Sequence, residues 1–289
     1  MKNIVNTFFH FFNFPLIKKN TINPIYFCEH KMLPLFKKEF PVVISFTPKS
    51  GCTTILKWFL EQNNLLQEAF KYSEWVHDYR EKVLYASNGY TEECLSVFTN
   101  NPDTKLIIKV IRNPIYRSIS CYLHYLRQSS VAKNWSIIRE IEDWKNANGL
   151  NDQHGISFNQ FLKFIISSNQ SGKVLDPHFS CQYDPIQDSK VNIYIPLEII
   201  SNEIRILEKR FNLKKIDFNF ISESPHNNKP STFSNWPKNA SSFPADQNFE
   251  KELGIPNANI FLDKETVIII KNAYSHDFEK YSKYFPDLS

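Results

Sequence analysis

The sequence predicts an α/β fold, a central parallel sheet flanked by helices, and two observations carry that prediction. Two short apolar runs, PVVISF at 41–46 and KLIIKVI at 105–111, suit buried strands, and each leads through a polar loop into a helical pattern. A strand, loop and helix repeated in this order implies parallel strands joined by crossover helices. With 289 residues, 42% hydrophobic and 15% aromatic, the chain can fill one core. A single domain over 1–289 is expected, with 1–40 as an N-terminal extension packed on it.

Taken in order, the segment NTFFHFFNFPLI at 6–17 is apolar but interrupted by Asn, His and Pro. It is shorter than the roughly 20 apolar residues that span a bilayer, so it predicts an amphipathic helix and no transmembrane segment. The first strand ends in PKSGCTT at 48–54, and ILKWFLEQNN follows with helical spacing of its apolar residues. A turn containing Gly51, with a helix start pointing its unpaired N–H groups and positive dipole end into it, is built to hold a phosphate. The unit is P-loop-like but departs from GxxxxGK[ST], because Lys49 precedes the only glycine. That disfavours an ordinary ATPase or GTPase. A kinase or nucleotide hydrolase would also need an Asp to hold Mg²⁺ at the second strand end, where Arg112 stands instead.

Residues 71–104 are irregular and aromatic and predict short helices ending at the turn Asn100 to Asp103. The second strand stops at Arg112, Asn113 and Pro114, and IYRSISCYLHYLR continues as a helix. Further helices are predicted in the amphipathic stretch 129–155, from Phe158, from about Pro196, and from about Lys264 to Tyr284, with a short strand VNIYI before Pro196. The long polar segment 222–247 has no periodicity and is expected to serve function or to be disordered. Both strand-end loops should face one site, since parallel sheets bind ligands at the carboxyl ends of their strands. There Arg112 can grip an anion bidentately and Ser120 can add a hydroxyl.

Net charge is +4, from 34 basic and 30 acidic residues, which excludes a nucleic-acid-binding face and suits a small anionic ligand. The five cysteines, Cys28, Cys52, Cys94, Cys121 and Cys181, are dispersed and odd in number. They argue against a zinc site or disulfide framework and for a reducing compartment.

PKSGCTT and RNPIYRSISCY together resemble the 5′-phosphosulfate loop and the 3′-phosphate motif of carbohydrate-type (family 2) sulfotransferases. Asp176-Pro177-His178-Phe179 is similar to the acidic-x-His-Trp stretch of carbohydrate sulfotransferases, with Phe179 in place of Trp. Tyr274, Asp277 and Tyr281 resemble a C-terminal Tyr/Asp pattern, although core and capping roles are the simpler expectation for Tyr274 and Asp277. The resemblance implies the sulfotransferase fold, the donor 3′-phosphoadenosine-5′-phosphosulfate, no metal, and a hydroxyl acceptor, most simply a carbohydrate or glycan. Lacking the membrane anchor and paired cysteines of Golgi members, the chain is expected to be cytoplasmic.

By the same resemblance, Lys49, Ser50, Gly51, Cys52, Thr53 and Thr54 would hold the 5′-phosphate, with Arg112 and Ser120 on the 3′-phosphate. Sulfuryl transfer resembles phosphoryl transfer, and a cation at the bridging oxygen should contribute most. Lys49 is expected there, with Ser120 touching it. The acceptor hydroxyl must lose a proton to a base. His178 is the candidate, with Glu74 and His77 in reserve; Arg117 is open between ligand and structural roles.

Overall fold

The computed structural model describes residues 32–99, 105–131, 135–151, 153–223 and 230–286. The expectations for 6–17, for the turn at 100–103 and for part of 222–247 lie outside these residues. At the centre is a parallel three-stranded sheet in the order β1 (Val42–Phe46), β2 (Leu106–Ile111), β3 (Ile193–Pro196). The parallel pairing agrees with the prediction, and VNIYI joins as the third strand. Residues just before β1 reach back to it, Leu35 bridging antiparallel to Ile44.

Strand alternation sets the two faces of the sheet. Val42, Ile44 and Phe46 of β1 and Ile108 and Val110 of β2 pack into one apolar cluster. It includes α1 (Cys52–Gln62), where Ile55, Leu56, Trp58, Phe59 and Leu60 are all buried. On the opposite face Val43 and Ile107 meet Tyr90, Cys94 and Leu95 of α4 (Tyr90–Thr99). The same face carries a buried polar pair in register, Ser45 and Lys109. Between α1 and α4 lie α2 (Leu66–Tyr72), the single turn α3 (Val76–Tyr79) and a π-helical turn at Arg80–Leu84.

The third layer is helical. α5 (Pro114–Val131), α6 (Ser136–Ala147), α7 (Phe158–Gln170) and α9 (Lys264–Ala273) enclose a second core containing Tyr122, Phe158, Phe161 and Phe261. α7 starts on a full capping box, Ser157 with Gln160. β3 passes through a 3₁₀ turn at Leu197–Ile199 into α8 (Ile200–Arg210).

Two expectations change. The closing helix is two helices, α9 and α10 (Ser275–Tyr281), because Tyr274 leaves helical geometry at φ −123° and ψ 35°. The break turns Asp277 inward, where it accepts from the amides of Gln182 and Tyr183. Residues 230–247 are a packed segment, with Trp236 against Phe249 and Phe261 and Ala245 bridging Ile156.

Candidate functional site

The loop after β1 turns sharply. Lys49 and Gly51 both adopt left-handed backbone, φ 69° and 82°. Gly51 is required twice over, since a Cβ there would also meet Leu197 Cδ1 at 2.3 Å. Two buried arginine contacts hold the loop. Arg112 donates from NH1 to the Lys49 carbonyl at 3.0 Å, and Arg117 donates from Nε to the Pro48 carbonyl at 3.1 Å. α1 begins with no side-chain cap and no acidic residue in its first turn. Its first amides therefore face outward as donors with a positive dipole end behind them.

Those amides open into a cleft of about 680 Å³ lined by Lys49, Gly51, Cys52, Thr53 and Thr54. Arg112 and Ser120, from the second strand end and α5, line the same cleft, as does His178. The two loops predicted to face one site do so. Burial pushes the Lys49 ammonium below the usual lysine range, and Arg127 and Arg112 add to that while Cys121 and Cys52 oppose it. His178 sits on a loop where Asp176 Oδ1 accepts from both its Nδ1 (2.7 Å) and its amide (2.8 Å). Trp135 Nε1 donates to the other Asp176 oxygen at 2.8 Å. Burial opposes ionisation of Asp176, but these hydrogen bonds and the adjacent imidazole outweigh it and hold the carboxyl below its ordinary value.

A carboxylate can only accept, so the Asp176 contact puts the proton on Nδ1 of His178 and leaves the Nε2 lone pair for another partner. A family model, that of the Sulfotransferase family, matches residues 35–284. The chain belongs to the sulfotransferase family. No curated protein and no solved structure matches it.

Not every predicted residue reaches the sulfotransferase cleft. Ser50 is fully buried beneath the loop: its amide donates to the Thr47 carbonyl at 3.2 Å and its hydroxyl to Gln182 Oε1 at 2.8 Å. Both its donors are engaged inside the protein, so it supports the cradle from below. Glu74 is exposed and does not line the cleft, whereas His77 does. Arg117 is structural: besides Pro48 it holds the carbonyls of Ser180 (2.8 Å) and Pro177 (3.2 Å), joining the first loop to the His178 loop. Tyr274 and Asp277 are core residues, as the simpler expectation had it. Residues 230–247 contribute nothing to the cleft lining.

Several lining residues carried no motif. Trp75, Arg80 and Glu81 form one wall, and His124, Gln128 and Trp135 the other. His124 and Gln128 follow Ser120 at intervals of four, so one face of α5 runs from the phosphate loops outward along the cleft. That spacing was readable once Ser120 was placed. His124 stacks on His178 with centroids 4.8 Å apart. Among the described residues, no group of three or more His, Cys, Asp or Glu is arranged to hold a metal, and no helix is long and apolar enough to cross a membrane.

Proposed function

We propose that this sulfotransferase moves the sulfuryl group of 3′-phosphoadenosine-5′-phosphosulfate to a hydroxyl of a carbohydrate or glycan. The observation that carries this reading is the convergence of Lys49, the uncapped α1 start, Arg112, Ser120 and His178 on one cleft. The amides of Gly51 to Thr54 and the hydroxyls of Thr53 and Thr54 would hold the 5′-phosphate, and Arg112 with Ser120 the 3′-phosphate. P-loop-like architecture is part of the same reading, supported by the β1, loop and α1 succession.

In this reading Lys49 neutralises charge that builds on the bridging oxygen as the sulfuryl group leaves. His178 takes the acceptor proton at Nε2, and Asp176 stabilises the imidazolium that forms. A carbohydrate acceptor suits a wall of neutral polar and aromatic groups, His124, Gln128 and Trp135, next to His178. We take the compartment to be the reducing cytoplasm, a reading supported by free thiols at Cys52, Cys94, Cys121 and Cys181.

The test has two parts. Adenosine 3′,5′-bisphosphate at millimolar concentration should raise the melting temperature. Lys49→Ala should abolish transfer from ³⁵S-labelled donor across a panel of glycan acceptors. No thermal shift from the bisphosphate would sink the donor assignment, and transfer by Lys49→Ala at the parental rate would sink the role of the lysine.

A further inference from the structure

Two histidines face this cleft, and their hydrogen bonds fix them in opposite states. His77, 6% exposed on α3, has both ring nitrogens engaged: Nδ1 with Arg80 NH1 at 2.7 Å and Nε2 with Thr53 Oγ1 at 3.0 Å. A guanidinium carries donors only, so Nδ1 must accept, and the proton of the neutral ring lies on Nε2 and points at Thr53. Arg80 is itself held firmly. It is 4% exposed, its NH2 donates to Glu81 Oε1 at 2.5 Å, and its guanidinium lies over the rings of Phe46 and Tyr85. The Trp75 ring packs against His77 at 4.5 Å.

We propose that His77 is a positioning residue: locked by Arg80 as the Nε2–H tautomer, it donates to Thr53 and commits the Thr53 hydroxyl to donate into the phosphate cradle. This rests on reading the loop as the 5′-phosphate site. A hydroxyl has one hydrogen and two lone pairs, so once Oγ1 accepts from His77 its own hydrogen goes to another acceptor. The usual alternative, the carbonyl four residues back, belongs to Lys49, which lies outside the helix and already takes Arg112 NH1. The remaining direction is the cleft that Thr53 lines. The same lock leaves His77 no lone pair for an acceptor proton, in contrast to His178, whose Nδ1 is protonated toward Asp176.

Glutamine separates a positioning role from a basic one, because its amide can accept from Arg80 and donate to Thr53 yet cannot act as a base. His77→Ala should raise the dissociation constant of adenosine 3′,5′-bisphosphate about tenfold, the loss expected for a hydrogen bond to a charged group. His77→Gln should recover most of that affinity and keep turnover, and in a Thr53→Val background His77→Ala should add nothing. Long-range ¹H–¹⁵N correlation on the histidine-labelled full chain, with the His77 signal assigned by its loss in His77→Gln, should report the Nε2–H tautomer at pH 7. Arg80→Met should release it to a mixture. An Nδ1–H or doubly protonated His77, or a His77→Gln variant that binds bisphosphate normally but no longer turns over, would overturn the proposal. If the parent protein fails to bind the bisphosphate, the donor reading falls while the tautomer measurement still judges the lock.

Discussion

At the residue scale the decisive side chain is Lys49, whose backbone is strained and whose ammonium is partly desolvated. A left-handed non-glycine residue costs on the order of 1–2 kcal/mol, sustained here by the Arg112 and Arg117 bonds to the Lys49 and Pro48 carbonyls. The lowered Lys49 pKa gives a pH prediction with a definite sign. An anion in the cradle favours the charged form, so binding raises the pKa back and takes up a proton wherever the free lysine has begun to lose one. Bisphosphate affinity should hold on the acid side of the lowered pKa and fall as pH rises through it. Calorimetry in buffers of different ionisation enthalpy would read the proton uptake on the alkaline side. Lys49→Arg should abolish that uptake, because guanidinium stays charged. Alkaline binding with no net proton exchange in the parent protein would refute the assignment.

At the scale of elements, the two phosphate loops are joined by one buried amide. Gln182, 0% exposed, accepts from the Ser50 hydroxyl and the Arg112 amide, both at 2.8 Å, and donates to the Arg112 carbonyl at 2.8 Å. Asp277 of α10 receives the Gln182 amide at 3.0 Å, so the helix break at Tyr274 reaches the site through this residue. A rivet between two subsites sets their spacing, which matters only to a ligand that occupies both. Gln182→Met should therefore weaken adenosine 3′,5′-bisphosphate about tenfold and adenosine 5′-monophosphate much less. Equal losses for the two nucleotides would show that the residue serves stability alone. None of this was legible from the sequence, because Gln182 and Ser50 stand 132 positions apart and no local pattern joins them. Lys49, Arg112 and Ser120 were legible because each sits in a contiguous strand, loop and helix unit. His124 and Gln128 lay in between, encoded by their fourfold spacing from Ser120 but without a motif of their own.

Over the whole molecule, the parallel sheet and its crossover helices were legible because buried strands are continuous apolar runs. The polar interior of the sheet was not, because KLIIKVI gives no sign that its second lysine is buried. Lys109, fully buried, pairs with Asp188 and donates to the Gln182 carbonyl at 2.7 Å. Asp188 also accepts from the Asp184 amide at 2.9 Å and from the Tyr281 hydroxyl at 2.6 Å. Burial and that carboxylate push the Tyr281 phenol far above its ordinary range, so it stays a donor. The cluster therefore ties the central strand to the segment carrying Gln182 and to the C-terminal helix. Removing one member of a buried ion pair strands the other charge, at a cost of about 3–5 kcal/mol. For a domain of this size that is a loss of roughly 10 °C in melting temperature. Lys109→Met should show that loss. Adding Asp188→Asn should recover part of it, because the amide leaves no unpaired charge and its oxygen can still accept from Tyr281. Thermal denaturation of the two variants would decide: a Lys109→Met protein as stable as the parent, or a double variant less stable than the single, would mean that the pair does not hold the sheet to the C-terminal helix.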